Sequence, residues 1–144
     1  MSESFGTIET LDPRRCVALL GTVGVGRVVF TNRAMPAVRP VCFAVRDDAV
    51  WFRMAAGDMM LACVLDTVVA FAADNVTGDL DAGWFVTVVG RASEVRDKRL
   101  VREIAPLLPA VGHPQDERYV RVLVESVSGS RIRPPASQCA EDCR

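Results

Sequence analysis

Six β-rich runs, most of them separated by gaps too short to hold a crossover helix, constrain the fold of this 144-residue chain more than any other feature. They occupy residues 27–30, 37–45, 49–53, 67–73, 84–95 and 119–127. Parallel strands need long, usually helical connections, whereas antiparallel neighbours are joined by tight turns. The stretches Thr31-Asn32-Arg33 and Arg46-Asp47-Asp48 have the size and composition of such turns. A mainly β fold follows: a six-stranded antiparallel barrel with short flanking helices. Half of the residues are hydrophobic, enough for one domain with its own core, expected over residues 1–133. From Pro134-Pro135 onward, residues 134–144 read as a disordered tail.

Three short helices are expected between the strands. Asp12 is suited to an N-cap and Pro13 to the first helical position, while Cys16, Leu19 and Leu20 recur on one face and Gly21 fits the C-cap. A second helix is expected to start at Gly57-Asp58 and to run through MMLACVL to Asp66. Asp97 caps a third, in which Leu100, Val101 and Ile104 share a face until Pro106 ends it.

The glycines of LLGTVGVGRVVF, residues 19–30, invite comparison with a phosphate-binding loop. Gly21 and Gly26 have the Walker spacing, but Arg27 and Val28 follow where a Lys and a hydroxyl would be needed to meet phosphate and magnesium. A dinucleotide loop runs from strand to helix. This segment runs from helix to strand, so its glycines read as a connection.

A formal net charge of -1 and a pI near 5.8 exclude a general nucleic-acid or membrane-surface binder, which would carry a basic stripe. No stretch is apolar and long enough to span a bilayer, and MSESFGTIET lacks the basic and apolar regions of a signal peptide, so the cytoplasm is expected. Five irregularly spaced cysteines read as reduced thiols. The Cys139/Cys143 pair has few partners for a metal in a chain with one histidine, His113, and no metal site is expected. The run at 84–95 is apolar on both faces over its first half, which places it inside an assembly and leads us to expect a dimer.

Five short motifs occur in order: LLGTVGVGRVVF; Pro36, Pro40, Val41 and Phe43; Phe52, Arg53 and Gly57; the run from Val69 to Asp74; and the run from Gly83 to Ala92. In this order and spacing the chain resembles the pyridoxamine 5'-phosphate oxidase-like family of flavin-binding split barrels over about residues 11–132. The resemblance implies a homodimer with flavin pockets at the subunit interface. It puts Pro40, Val41, Cys42 and Phe43 on the flavin-facing strand, Trp84 on the strand near the pocket or the dimer contact, and Arg53 on the phosphate loop. The chain also departs from the family pattern. Where close relatives read F-R-T-x-x-G-[ST]-K, it reads FRMAAGDMM, so Met54, Asp58 and Met59 replace phosphate ligands. Asp58 adds repulsion of roughly 4 kcal/mol for like charges about 4 Å apart near a surface. Arg39 or a helix N-terminus is the candidate replacement, and Cys42 stands where an asparagine is frequent.

From the residues alone, an apolar, aromatic-edged groove with one or two arginines suits a flat heterocycle carrying an anion. Each candidate also has a plainer role. Met54, Met59 and Met60 suit core packing, Asp58 a helix N-cap, His113 a surface loop, and Trp84 and Phe85 a core or interface. Arg53, if partly buried, needs an anion, for which the nearby sequence offers Asp58 or a ligand. Two functions are carried forward. One is an oxidoreductase using FMN or a deazaflavin to act on a small organic molecule. The other is a barrel without flavin: either a cofactor-free enzyme with Asp58 and Arg53 as catalytic candidates, or a binder of haem or another apolar ligand.

Overall fold

The computed structural model describes residues 6–109 and 116–135. The lone histidine, the Cys139/Cys143 pair and the tail beyond residue 135 lie outside the described residues. The chain runs β1 (Thr7–Thr10), α1 (Pro13–Leu20), β2 (Val25–Asn32), β3 (Met35–Arg46), β4 (Ala49–Ala55), α2 (Leu61–Val64), β5 (Val68–Val76), β6 (Gly83–Val95), α3 (Lys98–Ile104), a single 3-10 turn (Ala105–Leu107), β7 (Glu117–Leu123) and β8 (Ser126–Arg133). Strands pair in the order β1-β8-β6-β5-β2-β3-β4-β7, and β6 also pairs β7. That last pairing closes β6, β5, β2, β3, β4 and β7 into the expected six-stranded antiparallel barrel, with β8 and β1 as two additional strands beside β6.

Two tight turns set the register of β2, β3 and β4. Asn32 pairs with Met35 and Arg46 with Ala49, which leaves Arg33-Ala34 and Asp47-Asp48 as two-residue loops. All four loop residues have positive φ, between 51° and 63°, as a type I′ hairpin requires. Thr31 and Asn32, expected in the turn, instead extend β2.

β6 is the hinge of the architecture. One edge pairs with β5 over residues 83–91, while the other pairs with β8 over residues 83–89 and with β7 over residues 92–95. The exchange happens at Gly90, where a Cβ would stand 1.7 Å from the Leu123 carbonyl oxygen. Only a glycine lets the backbone cross there. The expected single strand over 119–127 is therefore two: the chain turns at Val124 and Glu125, with the Val124 N–H on the Asp48 carbonyl at 3.0 Å. The alternation of valines runs through this turn without a Gly or Pro to mark it, which hid it from the sequence. β1 and β8 escaped notice because TIET and SVSGSRIR carry little apolar alternation.

The helices are set locally. Asp12 accepts the Arg15 N–H at 2.9 Å and Asp97 accepts the Arg99 N–H at 2.9 Å, as N-caps do. Gly21 closes α1 in the right-handed region at φ -66°, so its conformational freedom is not what selects it there. The second helix is much shorter than expected, one turn with Met60 rather than Asp58 at its N-cap. The Thr67 hydroxyl faces the carbonyls of Cys63 and Val64 at 3.1 and 2.8 Å, which stops the helix before it reaches Asp66.

Val28, Phe52, Phe71, Val88, Val120 and Val122 fill the barrel interior. A second cluster, Ala49, Trp51, Val95, Ile104 and Leu108, lies outside the barrel where Leu100 and Val101 of α3 cover it. β4 is thus buried on both faces: Val50, Phe52 and Met54 belong to the interior cluster, and Ala49 and Trp51 to the outer one.

Candidate functional site

A cleft of about 430 Å³ opens where β3, the end of β4 and the α3–β7 connection meet. Val25 of β2 and Pro40, Val41 and Cys42 of β3 form an apolar wall. Arg53, Met54 and Ala55 close it from β4, Asp58 from the β4–α2 loop, and Leu108, Pro109 and Glu117 from the far side. Arg39 stands at the junction of the wall and the loop.

Both arginines are engaged. Arg53 Nη1 donates to Glu117 Oε2 at 3.1 Å, while Nη2 donates to the carbonyls of Leu108, at 2.9 Å, and Pro109. The Arg53 guanidinium also lies 5.8 Å from the Tyr119 ring centre. Arg53 and Glu117 side chains are each only 14% exposed, so this is a sheltered pair. The anion for Arg53 therefore comes from across the sheet, and Asp58 is not its partner. Asp58 is bound by Arg39 through both terminal nitrogens, Nη2 at 3.4 Å from Oδ1, and accepts the Met60 N–H at 2.9 Å. Burial is the largest single influence on this carboxyl and opposes its charge, but the Met60 N–H and the Arg39 guanidinium together hold its pKa below the ordinary carboxylate value. Among the described residues, two cations and two anions line the cleft, and each cation has an anion of the chain beside it.

Of the residues named from the sequence, Arg39, Pro40, Val41, Cys42, Arg53, Met54 and Asp58 come together here. Phe43, Met59 and Trp84 stand elsewhere. Phe43 is in the barrel core, edge-on to Phe71 with ring centres 4.7 Å apart. Met59 is 88% exposed, not packed as a core methionine would be, and Trp84 is 6% exposed within the interior cluster. Met54 both lines the cleft and packs into the core. Val25, Ala55, Leu108, Pro109 and Glu117 were missed. Val25 was within reach, because the two-residue turn that pairs Asn32 with Met35 also pairs Val25 with Cys42. Glu117 lies 64 residues from Arg53 and carries no local signal. Among the described residues no group of three His, Cys, Asp or Glu side chains could hold a metal, and Cys16, Cys42 and Cys63 are free thiols. No described helix is long and apolar enough to cross a membrane.

The family model described as pyridoxamine 5'-phosphate oxidase matches residues 12–131. The chain belongs to this family. An uncharacterized protein of Mycobacterium tuberculosis is 34% identical to this chain over 135 residues, which cover 90% of this chain and 89% of that protein. The solved structure of an FAD-binding protein from Mycobacterium smegmatis is 29% identical, with a TM-score of 0.70 over 88% of this chain and 100% of the other. A candidate pyridoxamine 5'-phosphate oxidase of Corynebacterium glutamicum is 26% identical, with a TM-score of 0.74 over 87% and 98%. Membership in the pyridoxamine 5'-phosphate oxidase family agrees with the closed barrel and its two additional strands.

Proposed function

We propose that this protein is a flavin-dependent oxidoreductase acting on a small organic molecule and working as a homodimer. The observation that carries the reading is the cleft itself. Its wall of Val25, Pro40, Val41 and Cys42 is an apolar surface of the kind a planar ring packs against, and its volume of about 430 Å³ falls in the range of cofactor sites. The FAD-binding relative, aligned over its full length, supports a flavin here. Bound flavin supplies the hydride and electron chemistry. The chain supplies a dry wall for the ring, and Arg53 holds the opposite wall in place through Leu108 and Pro109.

The outward face of the barrel supports the dimer. Val89 pairs with Ala70, Ala70 with Val29 and Val29 with Val38, a row of apolar side chains across four strands. Phe85, Val89, Val25, Val38 and Val68 on the outside are 38–60% exposed. An exposed apolar row on a small protein suits a contact surface, and the Arg27–Asp74 ion pair stands between this row and Val25 and Phe85. The cleft wall borders that patch, since Val25 and Cys42 are one pair of the same β2–β3 ladder, so a second copy seated on the patch would also shelter the cleft.

The test is reconstitution of purified protein with riboflavin, FMN, FAD and a deazaflavin, followed by visible spectroscopy and light scattering. The reading expects a bound flavin spectrum with at least one of them, bleached by a reduced nicotinamide or another small reductant, on a particle of twice the chain mass. A colourless monomer that quenches none of them would overturn it.

A further inference from the structure

The two arginines of the cleft differ in how firmly they are committed. Arg53 is tied to a carboxylate and two backbone carbonyls at 14% exposure. Arg39 is 38% exposed and, among the described residues, is bound only to Asp58, through both terminal nitrogens. It is the cation of the cleft best placed to meet a ligand. Asp58 does not sit there loosely, because the Met60 N–H holds its Oδ1 from the side of the loop at 2.9 Å. The carboxylate side chain is 16% exposed and lines the cleft with Arg39.

We propose that Asp58 is an internal occupant of the cleft's anion position and makes the cleft discriminate against ligands that are anionic there. A phosphate approaching Arg39 must either displace Asp58, which costs the bidentate pair and strains the Met60 contact, or stand beside an unneutralised carboxylate. A neutral hydroxyl meets neither obstacle and can donate to Asp58. Among flavins, the form ending in a neutral polyol is therefore favoured over the form ending in phosphate. Asp58 also holds its charge firmly, because the same Arg39 and Met60 contacts lower its pKa. The choice of flavins as probes rests on the proposed function, whereas the occupied anion position does not.

The experiment compares the unmodified protein with Asp58→Asn, Asp58→Ser and the double variant Asp58→Asn/Arg39→Gln. Both single changes keep an acceptor for the Met60 N–H, so the second serves if the first folds poorly. Riboflavin and FMN affinities are read by fluorescence quenching, and inorganic phosphate by its effect on melting temperature. The unmodified protein should bind FMN no more tightly than riboflavin and should not respond to phosphate. Removing the Asp58 charge should shift the FMN-to-riboflavin affinity ratio at least tenfold toward FMN and create a phosphate-dependent rise in melting temperature, both lost in the double variant. If both flavins bind and the ratio does not move, the proposal falls and the flavin reading stands. If phosphate acts on the single variants while neither flavin binds any form, the flavin reading falls and the proposal stands. A phosphate response equal in all four proteins, or absent from all four with no flavin bound, overturns the proposal.

Discussion

Arg53 on β4 and Glu117 at the start of β7 form an ion pair at 3.1 Å across 64 residues of sequence, and the same guanidinium holds the carbonyls of Leu108 and Pro109. One side chain thus fixes the width of the cleft and ties the end of the 3-10 turn to the barrel. Removing it leaves a sheltered carboxylate and two carbonyls without their donor.

Arg53→Ala should therefore destabilise the fold by about 2–4 kcal/mol, the range for breaking a sheltered pair with its hydrogen bonds. Arg53→Lys should recover only part of this, since a single ammonium cannot reproduce the planar fork. Thermal denaturation of both variants checks the order. An alanine variant as stable as the parent would show that the pair contributes nothing net.

Gly90→Ala should be among the most damaging single methyl additions in the chain. Its Cβ would meet the backbone oxygen of Leu123 at 1.7 Å, and backbone at a strand crossing cannot move aside as a flexible side chain can. A loss of about 3 kcal/mol or more is expected, in the range of severe overpacking. Gly57→Ala, with no described residue within 4 Å of the added atom, should change stability by less than about 1 kcal/mol. Denaturant midpoints of the two variants, measured side by side, test the contrast.

The Asp58 carboxyl gives a pH signature. Its pKa is lower in the folded protein than in the unfolded chain, so its contribution to stability is present above the unfolded value and is lost as pH falls through the folded one. Unfolding free energies of the parent and Asp58→Asn should therefore differ most near neutrality and converge in acid, below about pH 4. A difference between the two proteins that is constant from pH 7 to acid would contradict this.

Thiol labelling should follow position. Cys16 is fully buried, and its thiol is pushed up first by burial and then by the nearby Asp12 charge, so it should resist alkylation at neutral pH while the protein is folded. Cys42 and Cys63, only partly buried, should react before it, and a ligand bound in the cleft should slow Cys42 alone of these three. Replacing Cys42 with Ala should cost less than about 1.5 kcal/mol of stability, as for a small side chain at a half-buried wall. Mass spectrometry of timed labelling reads the order, and thermal denaturation the cost.

The sequence by itself determined what depends on near neighbours. Asp12 and Asp97 cap helices because a short acceptor side chain reaches the N–H groups of its own first turn, whatever the rest of the fold does. The antiparallel β2, β3 and β4 follow from gaps too short for any other connection, and with them the meeting of Arg39, Pro40, Val41 and Cys42 near Arg53 and Asp58. Tertiary structure decided what depends on distant backbone. Gly90 is a strand residue by pattern, and only the passage of Leu123 makes it indispensable. The valines from Val120 to Val124 alternate without interruption, yet the hydrogen bond from Val124 to Asp48 ends the strand. The pairing of Arg53 with Glu117 was chosen by barrel closure, because closing the ring brings β7 beside β4 and sets the charges of remote segments a few ångströms apart, whereas Asp58 meets Arg39 through the local β3–β4 hairpin. Local chemistry offers Arg53 several anions, and the geometry of the closed barrel selects one.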